Sequence, residues 1–203
     1  THNFSDFGLH ASLLSNLNKK GFAQPTAIQD QALEPALAGR DVLGLADTGT
    51  GKTMVFILPI LNKIISEGNE TAIVIAPTRE LALQIQDETK ALAEGLGIYS
   101  CLIIGGADMR RQLDNLRRGP SILIGTPGRL KDLYQRGYLN LDTTKTVVLD
   151  EVDRMLDMGF VKDITLLLSL LPKQRQTLLF SATIDTKVEA VARQFMINPV
   201  KIS

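Results

Sequence analysis

Residues 46–53 read Ala46-Asp47-Thr48-Gly49-Thr50-Gly51-Lys52-Thr53, closing an apolar stretch and opening a helical one. Glycines let consecutive backbone N–H groups converge on phosphate oxygens. A following helix adds the positive end of its dipole, and the lysine and hydroxyl suit the outer phosphates and Mg²⁺. The chemistry implied is nucleoside triphosphate binding. A strict phosphate loop reads G-x-x-x-x-G-K-[ST], and Ala46 stands where its first glycine belongs. Residue types alone therefore leave an ordinary glycine-rich strand-to-helix turn as the alternative. Asp150-Glu151 is the second chemical feature, because apolar Val147-Val148-Leu149 runs straight into two adjacent carboxylates. Hard Mg²⁺ keeps several waters and takes few protein carboxylates, so Asp150 suits the hydrated ion and Glu151 the orientation or deprotonation of an attacking water. Two acids that merely start a helix, favoured by its dipole, are the plain alternative.

Positioning these groups takes a scaffold, and the pattern supplies one. Apolar, β-branched bursts predict seven strands, at 41–46, 71–76, 100–104, 121–125, 146–150, 177–180 and 200–202. Between them, 52–66, 79–94, 109–117, 129–136, 164–171 and 187–195 carry helical spacing. Strands apolar nearly throughout, alternating with helices, imply a mostly parallel sheet buried between two helical layers, with ligands at the strands' carboxyl ends. No internal repeat or long Pro/Gly/Ser linker divides the chain, so one domain is expected over 1–203.

The 203 residues are 44% hydrophobic and 22% charged, an ordinary soluble composition. One cysteine, Cys101, and two histidines, His2 and His10, exclude a disulfide framework and a Cys/His metal cluster. A reducing, cytoplasmic setting fits. The longest apolar runs, 55–61 and 164–171, fall far short of about 20 residues, so neither a membrane span nor an export signal is expected. The first residue is Thr1 rather than Met, which suggests a processed chain or one whose opening residues are not native, and residues 1–3 carry no weight. Lys plus Arg equals Asp plus Glu at 22 each, so any polyanion site must be local. Arg110, Arg111, Arg117 and Arg118, and Arg129 with Lys131, are candidates that read by themselves as solvated faces.

Further groups follow the strands: Pro77-Thr78-Arg79-Glu80-Leu81-Ala82, Gly105-Gly106, Thr126-Pro127-Gly128-Arg129, Asp153 and Ser181-Ala182-Thr183. Each has a structural alternative. Thr126-Pro127 is a good N-cap and first-turn pair, Thr78 can cap, Gly105-Gly106 can be a bare turn, and 181–183 can simply end a strand.

Taken together and in order, these residues resemble the N-terminal RecA-like domain of a DEAD-box RNA helicase, over essentially the whole length. The family's ATP-specific Q motif is matched by residues 21–29, Gly-Phe-Ala-Gln-Pro-Thr-Ala-Ile-Gln, with the isolated aromatic Phe4 lying 17 residues before Gly21. Its loop, A-x-T-G-x-G-K-T, fits 46–53 and makes Ala46 expected. The eponymous tetrad reads Asp150-Glu151-Val152-Asp153, with Val in place of Ala. Two extra methyl groups at a tight strand end raise the expectation of shifted packing and of altered communication between Asp153 and Ser181 with Thr183.

The resemblance implies an α/β, RecA-like P-loop NTPase domain, with a Q-motif region at 4–29 and the P-loop core at 30–203. It implies ATP and Mg²⁺. Gln29 would read the adenine edge, supported by Thr26, with Phe22 or Phe4 packing the ring. Ala46, Asp47, Thr48, Gly49, Thr50 and Gly51 would cradle the phosphates, Lys52 would neutralise the outer ones, and Thr53 and Asp150 would hold Mg²⁺ largely through water. Lys52, Asp150 and Glu151 form the implied catalytic set, and Asp153, Ser181 and Thr183 the coupling set. Pro77, Thr78, Arg79, Gly105, Gly106, Thr126, Pro127, Gly128 and Arg129 would meet single-stranded or locally duplex RNA through phosphates and sugars, without sequence preference. The family's second RecA-like domain, with its arginine finger, is expected as a partner, and this domain by itself is expected to be monomeric, off the membrane and weakly active or inactive in hydrolysis. Two other readings remain: a nucleotide-gated RNA clamp that does not hydrolyse, and a different P-loop enzyme such as a kinase or DNA translocase, against which Gln29 and its motif argue.

Overall fold

Among the described residues seven strands form one parallel sheet. The computed structural model describes residues 2–47, 49–68 and 70–203. A short 3₁₀ turn (Phe4–Phe7) leads into α1 (Ala11–Lys19) and α2 (Ala27–Leu37); then come β1 (Val42–Leu45), α3 (Lys52–Glu67), β2 (Thr71–Ile75), α4 (Arg79–Leu92), β3 (Ser100–Ile103) and α5 (Met109–Arg117). The second half runs β4 (Ile122–Gly125), α6 (Pro127–Gln135), β5 (Thr144–Leu149), α7 (Val152–Asp157), α8 (Val161–Leu170), β6 (Gln176–Ser181), α9 (Thr186–Phe195) and β7 (Val200–Ile202). Strand order across the sheet is β3-β4-β2-β5-β6-β1-β7, and every pairing is parallel.

Period-2 alternation divides the core. Val42, Val74, Val148, Leu178 and Phe180 point into a cluster with α1 to α4, while Leu43, Ile73, Ile75, Val147, Leu149 and Leu179 point into a second cluster with α6 to α9 and the apolar side of α5. A strand buried on both faces has no polar side, which explains why these segments read as unbroken apolar runs. Among the described residues no helix is long and apolar enough to cross a membrane.

Three helices were not expected. α2 opens on a capping box, in which Thr26 accepts from the Gln29 N–H and the Gln29 side chain accepts from the Thr26 N–H. α7 is only six residues, below the length at which spacing speaks clearly, and α1 has nine. α6 starts at Pro127 rather than Arg129, with Thr126 as N-cap and proline in the first turn, where its missing N–H is harmless.

Candidate functional site

Strand order sorts the chemistry along the sheet's carboxyl edge. The phosphate loop, Asp150 and Ser181 leave the neighbouring strands β1, β5 and β6, while Pro77, Gly105 and Thr126 follow β2, β3 and β4. Two concavities lie along this edge.

The first is a cavity of about 630 Å³ lined by Thr26, Ala27, Ile28, Gln31, Leu45, Ala46, Asp47, Gly49, Thr50, Ala182 and Ser203. Side chains of α2 hold the loop beside it. Thr26 Oγ1 donates to Thr50 O at 2.9 Å, Gln29 Nε2 donates to Gly51 O at 2.9 Å, and Thr50 Oγ1 donates to Asp47 O at 2.7 Å. Gly51 sits at φ +82°, and a Cβ there would lie 2.5 Å from Gln29 Nε2, so the position needs glycine on two counts. Thr48 lies outside the described residues.

Several expected ligands of the base sit differently. Gln29 is buried with both ends of its amide engaged, Oε1 accepting from the Thr26 N–H at 2.9 Å and Nε2 held by Gly51 O. A base edge would have to compete with those bonds, because the residue that closes the capping box is the same one that ties down the loop. Phe4 is buried in the first core cluster and Phe22 is 44% exposed, and neither is among the residues lining the cavity. Ala182 of the Ser181-Ala182-Thr183 group does line it, as do Gln31 and Ser203, which carry no motif that would have pointed to them.

At the loop's inner end, Lys52 Nζ lies 3.0 Å from Asp150 Oδ1, with the side chains 5% and 0% exposed. Neither Asp150 oxygen has an aligned hydrogen-bond partner among the described residues. Burial pushes the Asp150 carboxyl above the usual carboxylate range in spite of the ammonium beside it. Glu88 of α4, which nothing in the sequence singles out, reaches the same place. Desolvation pushes its carboxyl up, a hydrogen bond with Thr53 opposes that rise, and the Asp150 charge adds to it. Among the described residues, no group of three or more His, Cys, Asp or Glu side chains could cage a metal ion.

Glu151 adopts the left-handed conformation, φ 54°, ψ 52°, at the N-cap of α7, a conformation costing a non-glycine residue about 1–2 kcal/mol. Its carboxylate lies 3.8 Å from Arg154 Nη1. Val152 is fully buried in the second cluster, so its extra methyls are absorbed by the core. Thr183 Oγ1 donates to Asp153 Oδ2 at 3.2 Å, and Ser181 Oγ donates to Thr183 O. The three residues expected to communicate are thus in one hydrogen-bonded chain.

The second concavity is an open cleft of about 570 Å³ lined by Pro77, Thr78, Arg79, Gly105, Gly106, Thr126, Gly128 and Arg129, together with Asp132, Met158 and Phe160. Of the nine residues expected in this group only Pro127 is missing from the lining, being buried in the first turn of α6. Thr78 also caps α4, its hydroxyl accepting from the Leu81 N–H at 3.2 Å. The structural role read for Thr78 thus coexists with a place in the cleft.

A family model described as DEAD/DEAH box helicase matches residues 26–191. The chain is 47% identical over 197 residues to the ATP-dependent RNA helicase CshA of Limosilactobacillus reuteri, covering 97% of this chain and 40% of that protein. It is 44% identical over 200 residues to the DEAD-box ATP-dependent RNA helicase CshA of Bacillus subtilis, covering 98% and 40%. A crystal structure of a DEAD box protein from the hyperthermophile Methanococcus jannaschii superposes with a TM-score of 0.94 at 36% identity, over 98% of this chain and 55% of that one. The chain therefore spans about two-fifths of the length of these curated relatives.

Proposed function

The chain belongs to the DEAD/DEAH box helicase family, and from that premise we propose that residues 1–203 are the nucleotide-binding half of an ATP-dependent RNA helicase, the other half being a second RecA-like domain in a longer protein. The observation that carries this reading is the 3.0 Å approach of Lys52 to Asp150, buried beside the glycine loop.

The residues fit ATP and Mg²⁺. Asp150 presents two buried oxygens without aligned partners, Thr53 adds a hydroxyl beside them, and a Cβ at Gly51 would crowd the loop. A divalent cation held by Thr53 and Asp150, mostly through water, would offset the charge of the outer phosphates. Lys52, relieved of Asp150, neutralises the same oxygens. Glu151, next to Asp150 just past the end of β5, orients and deprotonates the attacking water. Thr26 and Gln29 trade their bonds to the loop for bonds to adenine, which makes nucleotide arrival and loop release one event. Arg79, Arg129 and the turns beside them take the phosphates and sugars of an RNA strand, so recognition is indifferent to sequence. The hydrogen bonds from Ser181 through Thr183 to Asp153 tie the end of β6 to the first turn of α7, beside Asp150 and Glu151.

The test is a competition followed by a rate. ATP should displace a fluorescent ADP analogue from the chain at least about tenfold better than GTP does, a difference of roughly 1.4 kcal/mol. In the two-domain protein, Glu151→Gln should leave that displacement intact and cut RNA-stimulated hydrolysis by about 10²–10⁴. Hydrolysis surviving the substitution would remove Glu151 from the catalytic set, and a parent that binds ATP and RNA without RNA-stimulated hydrolysis would favour the non-hydrolysing clamp.

A further inference from the structure

The inward face of α5 packs Met109, Leu113 and Leu116 against the second apolar cluster, and between them stands Gln112, 4% exposed. A leucine would continue the stripe. A primary amide in that position costs about 1–3 kcal/mol if left unpaired, so its polarity must be satisfied. Gln112 Nε2 donates to Ile104 O at 2.8 Å, and Gln112 Oε1 accepts from Arg129 Nη1 at 3.5 Å. Ile104 leads directly into the Gly105-Gly106 turn. Arg79 closes the set from the other side, because a Cβ at Gly106 would lie 2.6 Å from Arg79 Nη1. One buried amide thus connects the turn against which Arg79 rests with the second guanidinium of the cleft. Asp132, the carboxylate in the same lining, is engaged by Arg136 at 2.8 Å.

We propose that Gln112 is a positioning residue for the open cleft: it fixes Arg129 and the Gly105-Gly106 turn at the spacing a phosphodiester strand requires. The proposal rests on the reading of that cleft as an RNA track. A neutral amide suits the task because it orients a guanidinium without cancelling its charge. A carboxylate at the same place would hold Arg129 more strongly and remove it from the pool of cations available to phosphate.

The experiment measures anisotropy of a fluorescein-labelled single-stranded oligouridine against the chain over a range of salt, with melting and ADP-analogue affinity followed in parallel. Gln112→Met should weaken RNA binding roughly fivefold or more, within the range of couplings between contacting residues, and leave nucleotide affinity unchanged. The double variant with Arg129→Ala should bind no worse than Arg129→Ala alone. Gln112→Glu should also weaken RNA binding, and should flatten the salt dependence by about 0.7, one phosphate contact on a single strand. RNA affinity unchanged in both Gln112 variants, or losses that multiply in the double, would overturn the proposal, whatever happens to the melting temperature. If Arg129→Ala itself leaves RNA binding intact, the RNA reading of the cleft fails, and this inference with it. If Arg129→Ala weakens binding and the Gln112 variants do not, only the inference fails.

Discussion

Replacing Lys52 by methionine is expected to destabilise the nucleotide-free chain by about 3–5 kcal/mol at pH 7, because it leaves Asp150 buried without its partner. The carboxyl is wholly enclosed, and burial already outweighs the Lys52 attraction in setting its proton affinity. Without that attraction the folded variant carries Asp150 as the neutral acid, so the folded state binds one more proton than the unfolded state above the usual carboxylate range. Stability then falls as pH rises, by about 1.4 kcal/mol per unit. Burial raises this carboxyl in the parent as well, so the deficit relative to the parent should shrink between pH 7 and pH 5 by at most roughly 3 kcal/mol. Adding Asp150→Leu to Lys52→Met should restore most of the stability at pH 7 and abolish the pH dependence, since an apolar pair can replace a buried ion pair at little cost. Denaturant unfolding at the two pH values reads all of this. A Lys52→Met variant within about 1 kcal/mol of the parent at pH 7 would mean that the ammonium does not reside on Asp150.

Joining the chain to the second RecA-like domain is expected to raise RNA-stimulated ATP turnover by about 10³–10⁵, the effect of an arginine finger in phosphoryl transfer. The chain's own contribution of positive charge is small at this place. Among the described residues lining the first cavity, the proposed nucleotide site, there is no arginine, and Arg154 is turned toward Glu151. In the proposed mechanism Lys52 is the cation that meets the charge developing on the transferred group. Steady-state turnover of the chain with saturating RNA should stay below about 1 per second, the lower end of the usual range for enzymes. A higher value would show that the catalytic set is complete within these 203 residues.

Much of the scaffold could be read from residue order because strands such as Val147-Val148-Leu149 are buried on both faces and read as short β-branched apolar runs between polar turns, while the longer runs at 55–61 and 164–171 fall largely in helices α3 and α8. The groups following those runs had to share one edge once the sheet was parallel, which is why Asp150 and Lys52 meet. α2 was legible and overlooked. Its signal, Thr26 followed three residues later by Gln29, is a capping box, and the resemblance drew the same two residues to adenine. The engagement of Gln29 with Gly51, the burial of Phe4 and the approach of Glu88 to Thr53 depend on how α2, the N-terminal turn and α4 pack. No local spacing encodes such contacts. Neither does residue type announce the left-handed backbone of Glu151, which is imposed where β5 ends and α7 begins. Gln112 left the faintest trace: a polar residue where the apolar stripe of α5 calls for a leucine.

Nucleotide affinity with and without Mg²⁺, compared between the parent chain and Asp150→Asn, tests most directly whether glycine loop and acidic strand end share one metal. Mg²⁺ should tighten ATP binding to the parent at least about tenfold, or roughly 1.4 kcal/mol, and should do nothing for the variant. An equal gain in both proteins would place the metal away from Asp150 and break the link between loop and strand on which the proposed chemistry stands.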